Sequence, residues 1–156
     1  MDGLADRQRA LFRRWPGGVS VVVAENQTRR TGLTISTLTS LSLDPPLLSI
    51  ALSRSAALYE VLEEAGRWGV SILAADQEAL AQHFARNVPP IALWDRIAVR
   101  EGEPLHLEGA VGWLVARTLE QVAAGDHTLF VGAVESVEPG PGRGSLVYLD
   151  RRYAAL

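Results

Sequence analysis

A chain of 156 residues with no cysteine fits a single domain spanning 1–156, large enough to bury roughly 70% of the surface its unfolded form exposes, and it excludes disulfides, thiolate nucleophiles and cysteine-held metal centres. A net charge of −3, with 15 basic and 18 acidic side chains scattered rather than gathered on one periodic face, argues against nucleic acid as a partner. No apolar run approaches the roughly 20 residues of a membrane span, and the opening MDGLADRQRALFRRW lacks a signal peptide's apolar middle, so no membrane partner is expected and the expected location is cytoplasmic.

Residues 2–14 read as a short helix with Leu4, Leu11 and Phe12 turned inward, stopped by Pro16-Gly17-Gly18. Residues 19–24 are a continuous apolar run, the pattern of a strand buried on both faces. The polar residues 25–30 turn the chain back into residues 32–46, GLTISTLTSLSLDPP, the returning strand of a hairpin. Apolar residues there fall at Leu33 and Ile35, then Leu38, then Leu41 and Leu43. The alternation therefore slips twice, at Ser36-Thr37 and at Thr39-Ser40. A strand that bends at these hydroxyl pairs releases backbone N–H and C=O groups from the ladder, and they need other partners. A bound planar ligand is one such partner; water on a hydroxyl-rich face is the other.

Asp44-Pro45-Pro46 cannot continue a ladder and forces a turn. Residues 47–52 resume as a strand, and Ser53 is placed to cap a helix carrying Leu58, Val61, Leu62 and Ala65, ended by Gly66. Residues 68–74 form another strand, and Asp76 is placed to cap a helix in which Leu80 and Phe84 lie one turn apart. Residues 86–97 read as a loop or single helical turn whose tryptophan is positioned to act as a lid. Residues 111–124 begin as an alternating strand, Gly125-Asp126-His127 reverses it, residues 127–138 return, and residues 146–149 make the last strand after a proline- and glycine-rich loop. With about seven strands and three helices, most strands following one another through turns, the pattern predicts an antiparallel barrel with peripheral helices.

Most familiar chemistries lack their residues. The loop Gly140-Pro141-Gly142-Arg143-Gly144 leads into a strand, so it offers no helix N-terminus to a pyrophosphate. His83, His106 and His127 have no metal-ligand spacing, and no metal site is expected. No serine sits in a nucleophile elbow and no carboxylate pair stands apart from solvated charge. An enzyme built from this chain would rely on a cofactor for its reaction.

The segments GLTISTLTSLSLDPPLLSIAL at 32–52, Phe84-Ala85, AGDHTLFVGAV at 124–134 and LVYLDRRY at 146–153 resemble, in order and over most of the chain, the flavin reductase family with the FMN-binding split-barrel fold. The similarity is to the short-chain NAD(P)H:flavin oxidoreductase components of two-component flavin-dependent monooxygenases. The resemblance implies a mainly β, antiparallel split barrel with peripheral helices, acting as a homodimer. It also implies hydride transfer from the C4 of NADH or NADPH to the N5 of FMN or FAD, with reduced flavin passed to a partner monooxygenase. The alternative is a non-catalytic flavin carrier or sensor on the same barrel. One departure is the short segment between Phe84 and Leu105, which carries Pro89 and Pro90.

The resemblance also assigns residues. Thr34, Ile35, Ser36, Thr37, Leu38, Ser40 and Leu41 would lie along the isoalloxazine and ribityl chain, the hydroxyls of Ser36 and Thr37 meeting the ring's polar edge. Ser53, Arg54 and Ser55 form the expected phosphate grip. Phe84, Tyr148, Arg151 and Tyr153 are the remaining expected cofactor contacts. His127 is the candidate catalytic residue, bordering the flavin and the entering nicotinamide; its other role would be turn stabilisation, the expected role of Asp126.

Overall fold

The valine run builds the middle of the fold because both of its faces find apolar partners. The computed structural model describes residues 3–86 and 88–156. Its elements are α1 (Leu4–Phe12), β1 (Gly17–Gly18), β2 (Ser20–Glu25), β3 (Arg30–Ile35), β4 (Thr39–Leu43), β5 (Pro46–Ser53), α2 (Ala57–Ala65), β6 (Arg67–Ile72) and α3 (Glu78–Ala85). After a 3-10 turn at Pro90–Ala92 come β7 (Val99–Arg100), β8 (His106–Leu107), β9 (Gly112–Ala124), β10 (His127–Pro139), β11 (Leu146–Leu149) and β12 (Arg152–Ala155). On β2, Val22 joins a cluster with Ile50, Leu52, Trp68, Val70, Phe130 and the α2 residues Leu58, Val61 and Leu62. Val21 and Val23 face the other way, onto Leu73, Ala81, Phe84, Leu105, Leu107 and Leu146.

The main sheet has seven strands in the order β3-β2-β6-β9-β10-β5-β4, every neighbouring pair antiparallel. Its two edge strands, β3 and β4, are consecutive in the chain. Laid flat, such a sheet would separate its edges by about 29 Å. The connection from Ile35 to Thr39 reaches at most roughly 14 Å. The sheet must therefore curl until its edges nearly meet, with residues 36–38 crossing the seam. The slipped alternation thus marks two strands on opposite edges, where the sequence reading placed one bent strand.

Other expectations change for local reasons. The apolar stripe of α1 exists, but Leu4, Leu11 and Phe12 are 74%, 67% and 60% exposed rather than turned inward, and no residue of α1 is buried. Neither Ser53 nor Asp76 caps a helix: the N-cap positions are Ala56 and Gln77, without side-chain capping bonds. The hairpin of β11 and β12 adds a strand that the sequence reading lacked, because its turn uses Asp150 and Arg151 at φ of 50° and 62° instead of the glycine that usually signals such a conformation. The glycine-rich loop at 140–144 is shaped by close backbone approach, since a Cβ on Gly140 would lie 2.2 Å from the Ala110 carbonyl oxygen. No helix among the described residues is long and apolar enough to cross a membrane.

Candidate functional site

Where β3 ends at the seam, a cleft of about 190 Å³ opens between Val19, Thr34, Ile35, Ser36, Ala85, Tyr148 and Tyr153. The C-terminal hairpin supplies one wall because β11 pairs with β1, setting Tyr148 opposite Gly17. Tyr148 also faces Tyr153 across β11 and β12, with ring centroids 5.1 Å apart. Burial, aided by the neighbouring Tyr148 and Glu78, pushes the Tyr153 phenol above its ordinary pKa. Tyr153 therefore stays neutral and able to donate a hydrogen bond at neutral pH. The Thr34 hydroxyl donates to the Ala81 carbonyl at 2.7 Å and so ties β3 to α3.

On the other side of the seam, β5 brings Ser53 opposite His127 at the start of β10. Gly125, at a φ of 63°, allows the tight turn from β9 into β10. The Arg54 backbone N–H donates to the Asp126 carbonyl at 3.1 Å. Its guanidinium donates to the His127 carbonyl at 3.2 Å and to the Thr128 hydroxyl at 3.5 Å. The Ser53 and Ser55 hydroxyls lie 2.9 Å apart, just ahead of the uncapped N-terminus of α2. His127 Nδ1 is 2.7 Å from the Asp126 carboxylate. The hydrogen bond from His127 is the main reason the Asp126 pKa is lowered. An ionised carboxylate only accepts, so Nδ1 is the donor in this bond.

Thr37 joins the two regions. Its hydroxyl donates to the Ala51 carbonyl at 3.0 Å and accepts from the Ala51 N–H at 3.1 Å. Ser36, in the cleft, is its neighbour in the chain, and Ser53, in the Arg54 region, is two residues beyond Ala51, roughly 7 Å along β5. Ser36 and Thr37 thus link the tyrosine-lined cleft to β5, the strand that leads on to Ser53 and Arg54. Uncapped helix amides, paired hydroxyls and a guanidinium at one end suit a phosphate. Aromatic and β-strand walls at the other suit a planar ring, so the residues present fit a flavin.

Not every expected contact lies at this seam. Phe84 is 1% exposed, packed against His83 and Trp94 in the core, and its neighbour Ala85 reaches the cleft instead. Trp94 is a pin rather than a lid, its indole N–H donating to the Arg30 carbonyl at 3.0 Å. Ile35 is buried at the cleft, and Leu38 packs on the core. Ser40 and Leu41 lie exposed on β4, and Arg151 is exposed in the final turn. Val19 lines the cleft, and Thr128 bonds both Arg54 and Tyr59. Neither was singled out beforehand, because only the strand register reveals their positions.

Residues 12–156 match the family described as Flavin reductase like domain. The reductase component of 4-hydroxyphenylacetate 3-monooxygenase from Thermus thermophilus is 40% identical over 92% of this chain and 91% of its own length. An NADH-dependent flavin reductase from a Rhodococcus species is 39% identical over 83% of this chain and 74% of its own. Among solved structures, the NADH:FAD oxidoreductase SgcE6 of Streptomyces globisporus C-1027 superposes with a TM-score of 0.92 at 30% identity, covering 100% of this chain and 96% of that one. The same protein has also been solved in complex with NAD and FAD fragments. With its antiparallel split barrel and a family match that covers all but its first residues, the chain belongs to the flavin reductase like domain family.

Proposed function

We propose that this chain is a single-domain NAD(P)H:flavin oxidoreductase that uses NADH or NADPH to reduce FMN or FAD and supplies the reduced flavin to a partner monooxygenase. The observation that supports this reading best is the seam itself, where Ser36 lines the tyrosine-walled cleft and its neighbour Thr37 bonds Ala51 on the strand that leads to Ser53 and Arg54. Flavin, when bound, supplies the chemistry by accepting a hydride from the nicotinamide. The chain's own task is then to bind, align and exclude water, which needs no acid or base. Thr34, Ile35 and Ser36 with Tyr148 and Tyr153 form the ring end, with Leu38 packed behind it on the core and Ser40 and Leu41 exposed on β4 past the seam. Ser53, Arg54 and Ser55 hold the phosphate, while Phe84 supports β3 from behind. Arg151 borders the ring end from the final turn, and His127 stands on the open side where the nicotinamide enters.

The partner is proposed on the strength of relatives named as reductase components, such as that of a 4-hydroxyphenylacetate 3-monooxygenase and of an FADH(2)-dependent resorcinol hydroxylase. A protein that draws on NADH belongs in the compartment that regenerates it, the cytoplasm. Purified protein is expected to oxidise NADH or NADPH in air when FMN or FAD is added, with no loss of rate in chelator. Turnover no faster than flavin alone would remove the enzyme reading, and chelator sensitivity would remove its metal-free part.

The same proposal includes a homodimer. Leu41, Leu43, Leu119, Val122 and Val137 are exposed on β4, β9 and β10, as is the apolar stripe of α1. Apolar surface on this scale commonly marks an interface. A helix of nine residues that buries nothing is also too short to be stable by itself in water. Sedimentation at micromolar concentration is expected to give a dimer. A monomer that still binds flavin would contradict it.

A further inference from the structure

We infer that Thr37 is a positioning residue for flavin: its hydroxyl replaces a backbone rung of the β4–β5 ladder, leaving its own backbone N–H free for the ligand. This rests on the flavin-binding reading above and assigns Thr37 a role other than touching the ring through its side chain. The register of β4 against β5 sets Thr39 opposite Ser49 and Ser40 opposite Leu48. Continued past the end of β4, the same register sets position 37 opposite Ala51. In an ordinary antiparallel pair the backbone N–H and C=O of residue 37 would fill the two bonds of Ala51. Here one side-chain oxygen fills both, donating at 3.0 Å and accepting at 3.1 Å.

The consequence is an asymmetry between the two strands. The Ala51 backbone is satisfied and β5 stays in the sheet, whereas the Thr37 backbone is released from it. Among the described residues, no backbone bond or strand pairing engages the N–H of Ser36, Thr37 or Leu38. Such groups must find partners when covered, and these lie beside the cleft. Only a hydroxyl on a short stem can both donate and accept in this geometry. The β-branch of threonine also limits its side-chain rotamers, which holds the oxygen in place. The same residue lies at the first of the two slips, where its polar atom points at the ladder because it completes the ladder.

Residue-resolved amide hydrogen exchange on the unaltered protein, with and without FMN, tests this directly. FMN is expected to slow exchange at the Thr37 amide and to leave the already protected Ala51 amide unchanged. Faster Ala51 exchange on FMN binding would mean that the hydroxyl turns to the ligand, and would overturn the inference. FMN binding with no protection at the Thr37 amide would overturn it while sparing the flavin reading. Failure of the unaltered protein to bind FMN would remove both. In variants, Thr37→Val is expected to raise the FMN dissociation constant about tenfold, and Thr37→Ser to recover most of that loss. A Thr37→Val protein that is less stable yet binds FMN unchanged would reduce the residue to a structural role. If that variant does not fold, the exchange measurement still decides.

Discussion

His127→Ala is expected to slow flavin reduction by about tenfold to a hundredfold, roughly 1.4 to 2.8 kcal/mol, while flavin affinity changes little. On the proposed reading, affinity is spread over the strand edge at Thr34 to Ser36, the freed Thr37 amide and the phosphate end at Arg54. His127 sits at the tip of the β9–β10 hairpin, its backbone beside Arg54 and its ring turned to Asp126. Those contacts fix a ring that is still 44% exposed, the condition for meeting a second, transient reactant. Hydride transfer depends steeply on the alignment of two rings, so a small loss of nicotinamide ordering appears chiefly in the rate. Rapid mixing with NADH measures the rate, and flavin titration measures the affinity. A dissociation constant that rises as much as the rate falls would assign His127 to the flavin site or to the fold.

Arg54→Gln is expected to act in the opposite sense, weakening FMN binding by about tenfold to a hundredfold, the worth of roughly 1.5 to 3 kcal/mol for hydrogen bonds to a charged group. Arg54 also braces the hairpin through the His127 carbonyl and Thr128 hydroxyl, so the loss needs to be divided between two roles. Riboflavin, which lacks the phosphate, divides it. If Arg54 grips phosphate, Arg54→Gln weakens FMN far more than riboflavin. Equal losses for both would mean that the residue serves only as a brace.

Much of this arrangement was legible in the chain because short-range rules govern it. The valine run of β2, the Gly125-Asp126 reversal and the double slip at residues 36–40 each pointed to the element or break that formed. Long-range register was less legible. Nothing local announces that Ile35 and Thr39 belong to opposite edges of a sheet, nor that Thr37 would bond Ala51. Ser53 looked like a helix cap because its type and place suit one, yet a turn intervenes before α2 and its hydroxyl meets Ser55 instead. Phe84 is a site residue only through the resemblance carried by Phe84-Ala85; Ala85 does line the cleft, but helical geometry turns the Phe84 ring into the core. The stripe of α1 was read as core because periodicity reports that a face is apolar and is silent on which molecule covers it.

Flavin is expected to bind at the seam, between the Tyr148–Tyr153 cleft and Arg54, and to be presented there for reduction. The most direct measurement is the visible absorbance of purified protein titrated with FMN and then mixed with NADH without oxygen. The predicted result is a perturbed flavin spectrum on binding, followed by bleaching faster than for free FMN. A flavin that binds and stays oxidised in the presence of both NADH and NADPH would contradict the account, and would make the protein a carrier or sensor on the same barrel.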